Sequence, residues 1–250
     1  MEARLNPLLL RYGCPSYRDL YWMASGDRPQ SVRRDLIDAI TTNETLWFRD
    51  TESFEVLESN LLPRLGDAVR QGKPKARIWC AACSTGQEPY SIAMVLHDFL
   101  ANQPDCALEP RHFEIVATDI SLEALATAAS GVYGRFSLDR GLPAHYLERY
   151  FEQSGAVWEV LPHIRKIVGF RAFDPLDPFA ALGTFDIVFC RNVAIYFSDE
   201  TKVELLTKIR RKLNPQGIPI LGSTESLPDD VRGFAPNRHE RVVFYQAAAA

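Results

Sequence analysis

Four short segments of the 250-residue chain gather side chains that could bind a ligand or do chemistry. The first is Thr41-Thr42-Asn43-Glu44-Thr45-Leu46-Trp47-Phe48-Arg49-Asp50, where backbone-bonding polar groups stand beside a Trp-Phe pair and an arginine. The second, Cys83-Ser84-Thr85-Gly86-Gln87-Glu88-Pro89, follows an apolar run and holds one glycine and one carboxylate. The third is Asp119, at the end of Phe113-Glu-Ile-Val-Ala-Thr-Asp119. The fourth is Arg191-Asn192-Val193-Ala194-Ile195-Tyr196-Phe197, directly after Phe185-Asp-Ile-Val-Phe-Cys190. Each segment also has an ordinary reading. Thr41–Asp50 fits a helix cap with a hydrophobic staple. Glu88 and Asp119 fit acids favoured by a helix dipole. Arg191–Phe197 fits a strand–helix connection with a core tyrosine.

The functional reading starts from the glycines. The second segment matches neither G-x-G-x-x-G nor G-x-x-x-x-G-K-[ST], so no pyrophosphate cradle is expected. A lone glycine beside a carboxylate suits a ligand without phosphate that carries an amine. An acid at the end of a second strand commonly accepts hydrogen bonds from a ribose diol. Amine and ribose together suggest S-adenosylmethionine. Polar residues placed directly after a buried strand suit a reaction site, because open α/β sheets bind ligands beyond the carboxyl ends of their strands.

These segments need elements to hold them. The first third reads as helical: Val32, Leu36, Ile37 and Ile40 keep helical spacing, and Phe54, Leu57, Leu61, Leu65 and Val69 form one stripe ended by Gly72 and Pro74. Ala76–Cys83 reads as a buried strand. An amphipathic helix follows, with Ile92, Val95, Leu96, Phe99 and Leu100 on one face, Ser84 or Thr85 as its cap and Pro89 in its first turn. Strand 113–119 leads to a helix over 121–130. Runs 167–173 and 185–190 read as strands, 200–213 as a helix, and 217–222 with 242–245 as a closing pair. Alternating strands and helices argue an α/β domain with a mostly parallel sheet. Residues 135–166 break that rhythm, and Trp158 onward alternates at period two, so a small antiparallel insert is expected there.

Composition narrows the class. With 28 basic and 32 acidic residues the chain is mildly acidic, which argues against general nucleic-acid binding. Nor does it offer an N-P-P-Y-type turn or a basic groove. At 46% hydrophobic residues it can bury a core and is not a disordered chain. No apolar run reaches the roughly 18 residues of a membrane span, so no membrane insertion is expected. Met1–Gly13 does not read as a signal peptide. The five cysteines (14, 80, 83, 106 and 190) are odd in number and three lie at strand ends, so they read as free thiols in a reducing compartment. Cys80-Ala-Ala-Cys83 has no partner pair and the five histidines are scattered, so no metal site is expected.

Taken together, the segments closely resemble the CheR family of chemotaxis-receptor glutamate methyltransferases. The matching pieces are Thr41–Arg49, Ala82–Ser91, Ala117–Ile120, Ser130–Tyr133, Phe189–Phe197 and Gly222–Ser226, in the family's order over nearly the whole chain. The T-T-N-x-T-x-[FW]-F-R and R-N-V-x-I-Y-F pieces are the distinctive ones. The resemblance implies a Rossmann-like domain at 49–250, a β-subdomain inserted at about 135–166, and a helical N-terminal portion at 1–48. It implies methyl transfer from S-adenosylmethionine to glutamates on cytoplasmic helices of chemoreceptors, in the cytoplasm, giving glutamyl methyl esters. Asn43, Thr45 and Arg49 would line the cofactor site, Glu88 would meet the methionyl portion and Asp119 the ribose. Asp174 and Pro175 would flank the adenosine, and Arg191 and Asn192 would close the site near its reactive end. Arg49 and Tyr196 would contact the substrate carboxylate. A cofactor-binding sensor, or a methyltransferase with another acceptor, are the competing readings; the presence of Arg49, Asn192 and Tyr196 favours catalysis.

A glutamate carboxylate has a reference pKa near 4.3 and needs no general base at neutral pH. The expected work of Arg49 and Tyr196 is therefore positioning, which supplies roughly 7–11 kcal/mol in well-oriented reactions. Three departures from the family pattern carry expectations. The residues before Leu5 are fewer than usual, so the N-terminal portion reads as shortened, and residues 1–50 balance seven arginines, among them Arg28, Arg33 and Arg34, against seven acids. Asp174 stands where an asparagine is frequent, and an ionised aspartate only accepts. The turn Gln153-Ser154-Gly155-Ala156 is short and has one glycine, so binding of a receptor's C-terminal pentapeptide tether is not expected.

Overall fold

In the computed structural model residues 2–26, 30–103, 108–174, 179–239 and 242–248 are described. Helices α1 (Glu2–Tyr12), α2 (Tyr17–Ser25) and α3 (Gln30–Ile40) open the chain and share a small core of Leu8, Cys14, Leu20 and Val32. After segment 42–46, which belongs to no helix or strand, come α4 (Thr51–Val56), a π-helical turn at Leu57–Leu61, and α5 (Leu62–Arg70). The leucine stripe read from the sequence runs through all three, and Leu57, Leu61 and Leu62 are buried.

The α/β portion begins with β1 (Ala76–Ala81), α6 (Gln87–Ala101), β2 (Phe113–Asp119) and α7 (Leu122–Ser130). Then come β3 (Val132–Gly134), α8 (Arg135–Leu138), α9 (Ala144–Tyr150), β4 (Phe151–Ser154), β5 (Val157–Val160) and α10 (Pro162–Arg165). The chain continues through β6 (Val168–Ala172), β7 (Phe185–Cys190), α11 (Asp199–Lys212), β8 (Leu213–Leu221), β9 (Phe234–His239) and β10 (Val242–Ala247).

Strands β6-β2-β1-β7-β8 form a five-stranded sheet whose neighbours are all parallel. Both of its faces are covered: Ile78, Cys80, Ile115 and Ala117 enter one buried cluster, while Trp79, Ala81 and Val116 enter the other. That two-sided burial explains why these strands read as continuous apolar runs rather than alternating ones. Successive strands run outward from β1 to β6 on one side and from β7 to β8 on the other. The order therefore reverses between β1 and β7, and a crevice opens where their following loops part.

The antiparallel sheet β3-β5-β4 begins at Val132, three residues before the expected stretch. The closing pair differs from its sequence reading. The 217–222 run belongs to β8 in the parallel sheet, and the partner of β10 is β9, which is rich in polar residues and proline. The cap of α6 also differs. Neither Ser84 nor Thr85 caps it; Gly86 stands at the N-cap with φ +94°, and the Thr85 hydroxyl donates to Gln87 Oε1.

Candidate active site

The crevice between β1 and β7 is a cleft of about 440 Å3, lined by the segment before α4 and by the loops that follow β1, β2 and β7. Its floor is formed by Ala82, Cys83 and Ser84, from the loop Ala82–Gly86 after β1. Three of its residues adopt left-handed backbone: Ala82 (φ 59°), Ser84 (φ 50°) and Gly86 (φ 94°). The loop holds that shape because its amides are committed. Cys83 N donates to Thr118 O (2.9 Å), Ser84 N to Asp119 Oδ2 (2.7 Å) and Gly86 N to Cys83 O (3.1 Å). Gly86 is required twice over, since a Cβ there would stand 2.9 Å from the Ala128 side chain as well as strain the backbone.

Asp119 is 5% exposed. Its second oxygen accepts from Ser121 N (2.9 Å). Burial pushes its carboxyl above the usual carboxylate range against the pull of these amides. Each oxygen keeps a further acceptor lone pair. The carboxylate thus fixes the loop and still presents acceptors to the cleft.

Arg191 organises the opposite wall. Its side chain is 2% exposed and wedged between two carboxylates, Glu88 Oε2 at 3.0 Å and Asp50 Oδ2 at 2.8 Å. Nη2 also donates to the Arg49 carbonyl, and the guanidinium lies 5.7 Å from the Phe54 ring centroid. One cation therefore ties α6, the segment after Arg49 and the end of β7 together. The two acids respond differently. Burial pushes Glu88 upward, outweighing its arginine neighbours. Burial also opposes ionisation of Asp50, but the Ser223 amide and Arg191 together hold it below the usual range.

The mouth is built otherwise. Phe48 (φ 48°) and Asp50 (φ 52°) flank Arg49 with left-handed backbone, a strained conformation costing on the order of 1–3 kcal/mol per residue. It is held by Trp47 and Phe48, both buried against the β-insert and α6: Trp47 N donates to Arg140 O, and Phe48 N to Ser91 Oγ. Arg49 lines the cleft, and among the described residues its guanidinium has no hydrogen-bond or ion-pair partner. Tyr196 is 63% exposed at the same cleft, not a core tyrosine.

Of the residues singled out from sequence, Asn43, Thr45, Arg49, Glu88, Asp119, Asp174, Arg191, Asn192 and Tyr196 all line this cleft, and Pro175 lies outside the described residues. Sequence reasoning missed Ser84, whose hydroxyl donates to Asn43 O (3.0 Å) and pins the N-terminal segment to the floor. It also missed Asp50 and Glu225 as structural anchors. Glu225 stands in a polar run just after β8, and Asp50 closes the polar Thr41–Asp50 segment ahead of α4.

The donor set fits S-adenosylmethionine. The cleft is within the ~300–1,000 Å3 range of ligand pockets. It offers carboxylate acceptors at Glu88 and Asp119, and its lining surface is mostly apolar.

A doubly covered parallel sheet with such a cleft at its switch point has the Rossmann-like methyltransferase architecture. The CheR methyltransferase, SAM binding domain description matches residues 43–243, and the chain belongs to that family. It is 44% identical over 228 residues to chemotaxis protein methyltransferase 1 of Pseudomonas aeruginosa, covering 91% of this chain and 81% of the relative. It is 42% identical over 229 residues to chemotaxis protein methyltransferase Cher2 of Pseudomonas putida, covering 91% and 82%. A probable biofilm formation methyltransferase, WspC of P. aeruginosa, is 36% identical over 223 residues, covering 87% of this chain and 50% of that protein. The protein is an S-adenosylmethionine-dependent methyltransferase.

Proposed function

We propose that this protein methylates glutamate side-chain carboxylates on the cytoplasmic helices of chemoreceptors, forming glutamyl methyl esters in chemotaxis adaptation. The observation that carries this reading is the mouth of the cleft, where the unpartnered Arg49 guanidinium and the exposed Tyr196 hydroxyl line one opening. A cation and a hydroxyl donor suit a carboxylate, and the names of the chemotaxis relatives support the receptor as its source. In this reading residues 1–48 are the helical N-terminal portion and 49–250 the methyltransferase domain. The protein works in the cytoplasm; among the described residues no helix is long and apolar enough to cross a membrane.

Bound S-adenosylmethionine supplies an electrophilic methyl group on a sulfonium. Asn43, Thr45, Glu88, Asp119, Asp174, Arg191 and Asn192 would hold it. Arg49 steers the acceptor carboxylate by charge, in a bidentate-capable geometry. The Tyr196 hydroxyl donates to one carboxylate oxygen and so presents the other for attack. Neither residue moves a proton in the reaction, because the nucleophile is already ionised. The turn at Gln153–Ala156 is tight, with Gly155 at φ 61°, and we take it to lack a pentapeptide-tether site.

The test is calorimetric titration with S-adenosylhomocysteine, followed by tritiated methyl transfer to receptor-bearing membranes with base-labile label as the readout. Binding with base-labile label is the expected result. Binding without transfer overturns the receptor assignment, and label that resists base overturns the carboxylate assignment.

A further inference from the structure

We propose that Glu225 is a positioning residue for methyl transfer, acting through the main chain of Asn192 and the turn that carries Tyr196. The proposal rests on the reaction proposed above. Cys190 and Leu221 are register partners at the ends of β7 and β8, so Arg191-Asn192 and Gly222-Ser223 leave the sheet side by side. Glu225 bridges them. Its Oε2 accepts from Asn192 N (2.6 Å) and from Gly222 N (2.9 Å), while its own amide closes the turn on Gly222 O (2.9 Å).

The bond to Asn192 is more than closure of a local turn. Asn192 has φ 58°, a left-handed conformation that asparagine tolerates but that needs holding. Asn192 lines the cleft, and the short turn Ala194–Tyr196 follows it, with Tyr196 N donating to Val193 O (3.3 Å). Releasing the Asn192 amide therefore frees both the cleft wall and the base of Tyr196. Glu225 Oε1 is buried and has no partner among the described residues, so the carboxylate is held by one edge and its bonding goes to these two amides.

The same turn grips the other side of the mouth. Ser223 N and Oγ donate to the Asp50 carboxylate at 3.2 and 3.1 Å. The backbone beside Arg49 and the backbone beside Tyr196 are thus fastened to one loop, Gly222–Glu225. Gly222 suits that role sterically: a Cβ there would lie 2.7 Å from Glu225 Oε2 and 2.8 Å from Asn192 Nδ2.

The test compares Glu225→Ala, Glu225→Gln, Gly222→Ala, Tyr196→Phe and the double variant Glu225→Ala/Tyr196→Phe in the full chain. Thermal midpoint, S-adenosylhomocysteine affinity and turnover on receptor-bearing membranes are read for each. Glu225→Ala is expected to lower turnover by about tenfold or more, since a 1 Å misplacement can cost on the order of 10²-fold. Affinity should fall several-fold with it. Glu225→Gln keeps an acceptor oxygen and should restore both to within about threefold of wild type. Gly222→Ala crowds the same contact and should mimic Glu225→Ala if the latter fails to fold. The double variant should lose little beyond the Tyr196→Phe loss, because residues coupled through one shared stretch of backbone are not additive. A folded Glu225→Ala with a lower midpoint but unchanged affinity and turnover overturns the proposal, as does full additivity in the double variant. If wild type binds S-adenosylhomocysteine but labels no receptor, the acceptor assignment fails, and the affinity series alone decides Glu225.

Discussion

The floor and the mouth of the cleft are made of similar residue types used in opposite ways. On the floor and the wall facing it, Asp119 and Arg191 are buried, Glu88 is half-buried, and each is tied to protein groups: Asp119 to two amides, Glu88 to Arg191, and Arg191 to two carboxylates and a carbonyl. At the mouth, Arg49 has no partner among the described residues and Tyr196 stands in solvent. Engagement fixes shape, so the floor can present a rigid surface to a cofactor. Freedom leaves charge and hydrogen-bonding capacity for an incoming group. The backbone reconciles the two: left-handed residues at 48, 50 and 192 lie beside the free groups, so the strain sits in main chain while the side chains stay available.

The sharpest way to break this comparison is Arg191→Met. It leaves Glu88 and Asp50 without their shared cation, and removing one partner of a buried pair costs about 3–5 kcal/mol. Urea unfolding should show that loss, and S-adenosylhomocysteine binding should weaken as α6 and the Arg49 segment part. A near-normal unfolding midpoint would mean that Arg191 is an ordinary ligand-facing arginine. Next in size is Gly86→Ala, which places a methyl 2.9 Å from Ala128 on a left-handed backbone. A loss of about 1–3 kcal/mol is expected, with weaker cofactor binding.

A smaller effect separates the two acids that share Arg191. Asp50 is held below its ordinary value, so it adds stability above about pH 3.8 that is lost as pH falls through its folded pKa. Glu88 is raised, so the folded state holds its proton more tightly, and stability declines as pH rises through the window above about 4.5. Thermal midpoints from pH 3 to 7 should therefore diverge. Asp50→Asn flattens the acid limb, and Glu88→Gln removes the decline on the rising side. Matching profiles for both variants would show that the two carboxylates share one environment.

Much of this architecture was legible in the sequence, for identifiable reasons. Runs 113–119 and 185–190 are apolar throughout because their strands are covered on both faces, and their observed bounds coincide with the reading. Glu88, Asp119, Arg191 and Asn192 stood out as polar groups at or just beyond the ends of buried strands, whereas the roles of Asn43, Thr45, Arg49, Asp174 and Pro175 came from the family resemblance. What failed was long-range or conformational. Arg191 is separated from Glu88 by 103 positions and from Asp50 by 141, and no local pattern announces that pairing. Strand β9, Phe-Ala-Pro-Asn-Arg-His, has too little apolar alternation to read as a strand and takes its place from pairing with β10. The cap of α6 was misread because Ser84 and Thr85 suit a side-chain cap, whereas the loop's left-handed geometry gives that position to Gly86. Glu225 was hidden for a similar reason: its carboxylate serves an amide 33 residues away.

The most direct test of the division between floor and mouth is Tyr196→Phe, measured for S-adenosylhomocysteine affinity and for methyl transfer at saturating cofactor in one preparation. Tyr196 is exposed and makes no side-chain bond within the described protein, so stability should stay within about 0.5 kcal/mol. Affinity within about threefold of wild type, with turnover lowered about tenfold or more, is the expected result for a residue that orients only the acceptor. Weakened cofactor binding with unchanged turnover at saturation would contradict the account and move Tyr196 from the substrate side of the cleft to the cofactor side.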